Sequence, residues 1–124
     1  MTGRKYKIGF DIGGVISKHT GIIGAMMETF RQSESWEVYI VTDMPRNTAD
    51  DVLKRNNILC EPEKLLCADW TYEEEMCKAN IIEKHGLDVL VDDHLAYLVS
   101  SKIPLGLLVV PRPELPYNSK EWKK

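Results

Sequence analysis

Short apolar runs alternating with helically spaced segments constrain this chain more than any other feature. Ile8-Gly9-Phe10, Val38-Tyr39-Ile40-Val41, Val89-Leu90-Val91 and Leu107-Leu108-Val109-Val110 are runs of strand length rather than helix length. Alternation of such runs with helical patterns is the signature of βαβ units and a mainly parallel sheet, so the fold class is α/β. The spacing predicts strands over residues 6–10, 37–41 and 88–91, a weaker one over 64–67 and a last one over 106–110. A helix is expected over 21–32, where Ile22, Ile23, Met26, Met27 and Phe30 recur at helical spacing and should turn one face to the sheet. Pro45 suits the first turn of the next helix, whose buried face would be Ala49, Val52 and Leu53. A third helix should begin at Asp69 or Thr71 and stop at Gly86.

At 124 residues the chain can bury one core but lacks the length for a catalytic domain plus a separate substrate domain, so one domain over 1–124 is expected. Pro111, Pro113 and Pro116 forbid regular structure in the tail, 111–124. Hydrophobic residues at 44% and charged ones at 28% argue against a disordered or membrane chain. A formal net charge of −3 gives no long-range attraction to polyanions, and Lys120, Lys123 and Lys124 are too few to make a basic patch. Nucleic acid is therefore not expected as a main partner. Cys60, Cys67 and Cys77 form no CxxC pair, which argues against a structural zinc, and no signal peptide precedes Lys5. The expected setting is reducing and cytoplasmic.

The chemistry gathers at two strand ends. Asp11 follows the first apolar run and precedes Gly13-Gly14, so a carboxylate is delivered into a glycine turn at the C-terminal edge of a strand, where open α/β sheets bind ligands. Asp92 and Asp93 close another run. If the two strands are parallel neighbours, three carboxylates converge on one crevice, and clustered acids demand a cation or a proton.

The order of Asp11-Ile12-Gly13-Gly14-Val15-Ile16, then Thr42, then Lys78, then Asp92-Asp93 resembles the four motifs of the haloacid dehalogenase-like superfamily of phosphohydrolases. The likeness spans nearly the whole chain, with each motif at a strand end or a helix start. It implies a three-layer, Rossmann-like sandwich around a five-stranded sheet of order 5-4-1-2-3, with a small helical turn and a β-hairpin flap over residues 15–21. It further implies phosphoryl transfer through an aspartyl-phosphate on Asp11, with Mg²⁺ as cofactor. Asp11, the Gly13 carbonyl and Asp92 or Asp93 would share an octahedral ion with waters and the substrate phosphate. Thr42 would hydrogen-bond a phosphate oxygen, and Lys78 would offset the charge of the acids and the incoming phosphate. Gly14, Thr42, Asp43 and Arg46 are expected along the substrate phosphate.

Two positions depart from the superfamily pattern. Most of its phosphatases carry a second aspartate two residues after the nucleophile, to protonate the leaving oxygen and later activate water; here that residue is Gly13. General acid–base help is worth about 10²–10⁴ in rate, so a slow phosphatase, another donor such as His19, and an inactive binding or regulatory protein all stand as readings. The second departure is Asp43, whose charge would repel a phosphate unless Arg46 masks it. Plain structural roles compete for the same residues. Asp92 and Asp93 could cap a short helix at 95–99, Thr42 could satisfy backbone, and Lys78 could form a solvated helix pair with Glu74.

No segment between these motifs is long enough for a cap domain. An open site of this kind suits a large phosphorylated substrate, a lid supplied by another subunit of a homo-oligomer, or the phosphorylated end of a polymer. A phosphorylated substrate, small molecule or macromolecule, is the expected partner, and a membrane is not.

Overall fold

The computed structural model describes residues 4–68, 78–100 and 102–110. Its apolar runs become strands β1 (Tyr6–Phe10), β2 (Trp36–Thr42), β3 (Leu65–Cys67), β4 (Val89–Asp92) and β5 (Leu105–Leu108). All four pairings are parallel, in the order β3-β2-β1-β4-β5. This is the expected order counted from the other edge. Side chains alternate across the sheet, and both faces are covered. Along β2, Val38 and Ile40 join one apolar cluster with Phe10, Ile23, Met27 and Leu53, while Tyr39 and Val41 join a second with Leu66, Ile82 and Leu90. Continuous apolar strands, rather than half-polar ones, are what two covered faces require. Helices α1 (Thr20–Gln32) and α2 (Arg46–Arg55) supply the first cluster; α3 (Ala79–His85) and α4 (Leu95–Ser100) flank the second.

The register brings three motif residues to one edge. Phe10 is paired with Ile40 on one side and Val91 on the other, and the Asp11 amide continues the ladder to the Val91 carbonyl at 3.0 Å. Thr42 ends β2 and Asp92 ends β4. Asp11, Thr42 and Asp92 therefore line the C-terminal edge of three adjacent strands.

The structure corrects several expectations. No β-hairpin occupies residues 15–21. Ile12–Ile16 forms one wide turn closed by Ile16 N–H to the Asp11 carbonyl and Ser17 N–H to the Ile12 carbonyl, and α1 starts at Thr20. With only three residues between the turn and the helix, two strands cannot form. The α1 face is also narrower than its apolar pattern suggests: Ile23 and Met27 are buried, but Ile22 is 69% and Met26 38% exposed. The apolar residues make two stripes, and one helix can turn only one of them to the sheet. Pro45 is the N-cap of α2 rather than part of its first turn. β5 begins one residue earlier than expected and ends at Leu108. Lys78 is the N-cap of α3, which runs to His85 and stops at Gly86 in a left-handed conformation, as expected of glycine there. The expected helix start at Asp69 or Thr71, Glu74 and the tail 111–124 lie outside the described residues. No described helix is long and apolar enough to cross a membrane.

Candidate active site

One carboxylate oxygen each from Asp11, Asp92 and Asp93 lies within 4.8 Å of the others. Convergence follows from the fold, since β1 and β4 are neighbours and deliver Asp11 and Asp92 at the same level. Lys78 reaches into the cluster from the start of α3. Its Nζ donates to Asp11 Oδ1 and to Asp92 Oδ2, both at 2.7 Å. Lys78 and Asp92 are 0% exposed and Asp11 only 5%. A solvated partnership of Lys78 with Glu74 is therefore excluded, because a fully buried ammonium needs its partners inside the protein.

Asp92 also accepts the His94 amide on Oδ1 at 3.0 Å. One oxygen thus serves the ion pair, while the other closes a local turn onto the residue before α4 and does not cap the helix itself. Asp93, half-buried, owes its place to Gly14. A Cβ built on Gly14 would fall 1.8 Å from Asp93 Oδ2, and Gly14 has φ +77°. Any side chain at position 14 would be strained and would evict that carboxylate. The wide turn is held by Gly14 N–H donating to Ser17 Oγ at 3.1 Å.

With all three carboxylates ionised, one ammonium leaves a charge of −2, the amount a single divalent cation cancels. The geometry fits such an ion. One oxygen from each carboxylate lies close enough to the other two for the three to share one cation. Lys78 occupies Asp11 Oδ1, and Oδ2 takes no hydrogen bond among the described residues. The protonation balance records the same shortage of positive charge. Burial, only partly offset by Lys78 and reinforced by Asp92 and Asp43, pushes the Asp11 carboxyl up to about 7. Burial works against the Lys78 ammonium, yet Asp11 and Asp92 overcome it and hold Lys78 above its ordinary value.

A pH dependence follows from Asp11. In the metal-free fold it keeps its proton up to about 7, whereas the unfolded chain loses it in the ordinary carboxylate range. Its contribution to stability is complete below that range and is lost as pH rises through about 7. A bound cation favours the ionised form and reverses the trend. The rise in melting temperature on adding Mg²⁺ should therefore be small near about pH 5 and grow toward about pH 8. Paired melts in Mg²⁺ and in EDTA check this; a gap that stays constant with pH contradicts it.

Thr42 is fully buried, and its Oγ1 accepts the Met44 amide at 3.1 Å, so it does satisfy backbone, and its hydroxyl hydrogen has no acceptor among the described residues. Arg46 is not the mask for Asp43: its guanidinium donates to the Pro62 and Leu65 carbonyls at 3.4 and 2.6 Å. Asp43 is held instead by Tyr97, whose hydroxyl donates to Asp43 Oδ2 at 3.0 Å. The ring of Tyr97 lies 4.7 Å from Lys78 Nζ and 4.5 Å from the His94 ring. Tyr97 was not singled out in the sequence because one aromatic residue in a short apolar helix reads as core; only its place five residues after Asp92 hinted at more. His19 sits at the N-cap of α1 with no side-chain capping bond.

No protein-family model, curated protein or solved structure matches the chain.

Proposed function

We propose that the chain is a capless, haloacid dehalogenase-like phosphohydrolase with a three-layer, Rossmann-like sandwich fold, acting on a phosphomonoester with Mg²⁺. The observation that carries this reading is Lys78, an ammonium with no exposure, bonded at 2.7 Å to both Asp11 and Asp92. Burying a lysine among acids is costly and adds little to stability compared with an apolar core, so a site chemistry is the economical reason for it. Asp11, with Oδ1 fixed by Lys78, presents Oδ2 to the phosphorus as nucleophile. Asp92, Asp93 and the Gly13 carbonyl would hold the ion beside it. Mg²⁺, when bound, neutralises the phosphate oxygens so that one anion can attack another. Thr42 donates to a phosphate oxygen, and Lys78 balances charge on the pentavalent phosphorus through its hold on Asp11.

Turnover of p-nitrophenyl phosphate should require the cation. EDTA should lower it by at least about 10²-fold, and Mg²⁺ should restore it; turnover indifferent to EDTA contradicts the proposal. Gly13 favours a second reading, a protein that binds a divalent cation or a phosphorylated ligand without turning it over. Mg²⁺ binding with no hydrolysis of any phosphoryl donor would select it.

A further inference from the structure

Tyr97 ties together three segments that lie far apart in the sequence. It sits in α4, 3% exposed, and its place follows from the end of β4: the His94 amide donates to Asp92 Oδ1 at 3.0 Å, and the Tyr97 amide donates to the His94 carbonyl at 3.1 Å. From there its ring meets Lys78 Nζ at 4.7 Å, inside the reach of a cation–π contact. An ammonium has three hydrogens. Lys78 directs two of them to Asp11 and Asp92 at 2.7 Å each, and the ring is a further partner that a fully buried ammonium can accept in place of water. The hydroxyl at the far end of the same ring donates to Asp43 Oδ2 at 3.0 Å. The two contacts support each other, because a phenol that donates to a carboxylate is polarised toward phenolate, which enriches the ring face against Lys78. Packing and the cation–π contact ask only for a ring, which phenylalanine would supply; the hydroxyl serves Asp43. That residue directly follows Thr42, and its charge is felt at Asp11.

We propose that Tyr97 is a positioning residue of this site: seated by its ring on Lys78, it holds the Asp43 carboxylate against α4 and so allows a phosphate to bind at Thr42 beside a fourth acid. The proposal rests on the phosphohydrolase reading, which puts the phosphate at Thr42, and deepens it. A carboxylate free to turn toward an anion costs affinity through like-charge repulsion. With one oxygen held by a hydroxyl, part of that charge is engaged and its direction is fixed. Tyr97 acts through Asp43 and does not itself touch the phosphate.

The test is a ³¹P NMR titration of inorganic phosphate in Mg²⁺ with the wild-type chain, Tyr97→Phe, Asp43→Asn and the double variant. Phenylalanine keeps the ring on Lys78 and removes only the hydroxyl. Tyr97→Phe should weaken phosphate binding about tenfold in the wild-type background. In the Asp43→Asn background the same change should weaken it by less than about twofold, because the charge it controls is gone. A merely structural Tyr97 would weaken binding equally in both backgrounds. Equal weakening, or none in either, overturns the proposal. If the wild-type chain binds phosphate but hydrolyses no phosphoryl donor, the hydrolase reading fails, and the coupling between Tyr97 and Asp43 still decides this one. A wild-type chain that binds no phosphate in Mg²⁺ overturns both.

Discussion

Lys78→Met should lower the stability of the metal-free protein by about 3–5 kcal/mol, the usual cost of removing one partner from a buried ion pair. Methionine matches the length of the lysine stem but leaves Asp11 and Asp92 facing each other in a site where both are almost wholly buried. Tyr97, whose ring lies 4.7 Å from the lost ammonium, has no proton to spare for them because its hydroxyl serves Asp43. For a domain of this size the loss corresponds to a fall of roughly 10–20 °C in melting temperature. Mg²⁺ should restore more of that loss in the variant than it adds to the wild type, since it supplies the missing positive charge. Melting curves in EDTA and in Mg²⁺ read both effects. An unchanged melting temperature without metal contradicts the assigned role of Lys78.

Asp11→Asn should do the opposite to stability while abolishing turnover. The amide is nearly isosteric and removes one of the buried negative charges, and Lys78 still pairs with Asp92 at 2.7 Å. Metal-free stability above about pH 7 should therefore hold or rise, because a carboxylate held with its proton up to that value is a group the fold keeps ionised only at a cost. Activity should fall by about 10⁴–10⁶-fold, the scale of nucleophile knockouts. The two readouts moving apart is the mark of a residue kept for chemistry rather than for folding. Equal turnover by variant and wild type removes Asp11 from the mechanism.

What was legible in the sequence follows from burial. β1, β2 and β4 are central strands buried on both faces, so they are written as unbroken apolar runs and their ends were placed within a residue or two. β5 lies at the sheet edge with Leu105, Leu107 and Leu108 all exposed, and its apolar run continues through Val110 beyond the paired residues, so its boundary was misplaced. Ile22 and Met26 misled for a related reason: apolar identity marks a candidate core face, and packing geometry chooses among candidates. In the site, the meeting of Asp11 with Asp92 and Asp93 was legible because strand ends are ordered by the topology. The burial of Lys78 was not, since a lysine at the start of a helix is ordinarily solvated and only the order of the motifs singled it out. Arg46 does not pair with Asp43 because a long side chain one turn from a strand end can reach either way along it, and here it reaches the Leu65 carbonyl. Tyr97 binding Asp43 is a contact across 54 residues with no local signal at all.

Acid quenching of the chain during turnover of radiolabelled acetyl phosphate, followed by borohydride reduction and peptide mapping, tests the central claim at the bond it depends on. The account predicts a Mg²⁺-dependent label on the peptide that contains Asp11, approaching one phosphoryl group per chain. Continued turnover with no label there, or with the label on another residue, would contradict it.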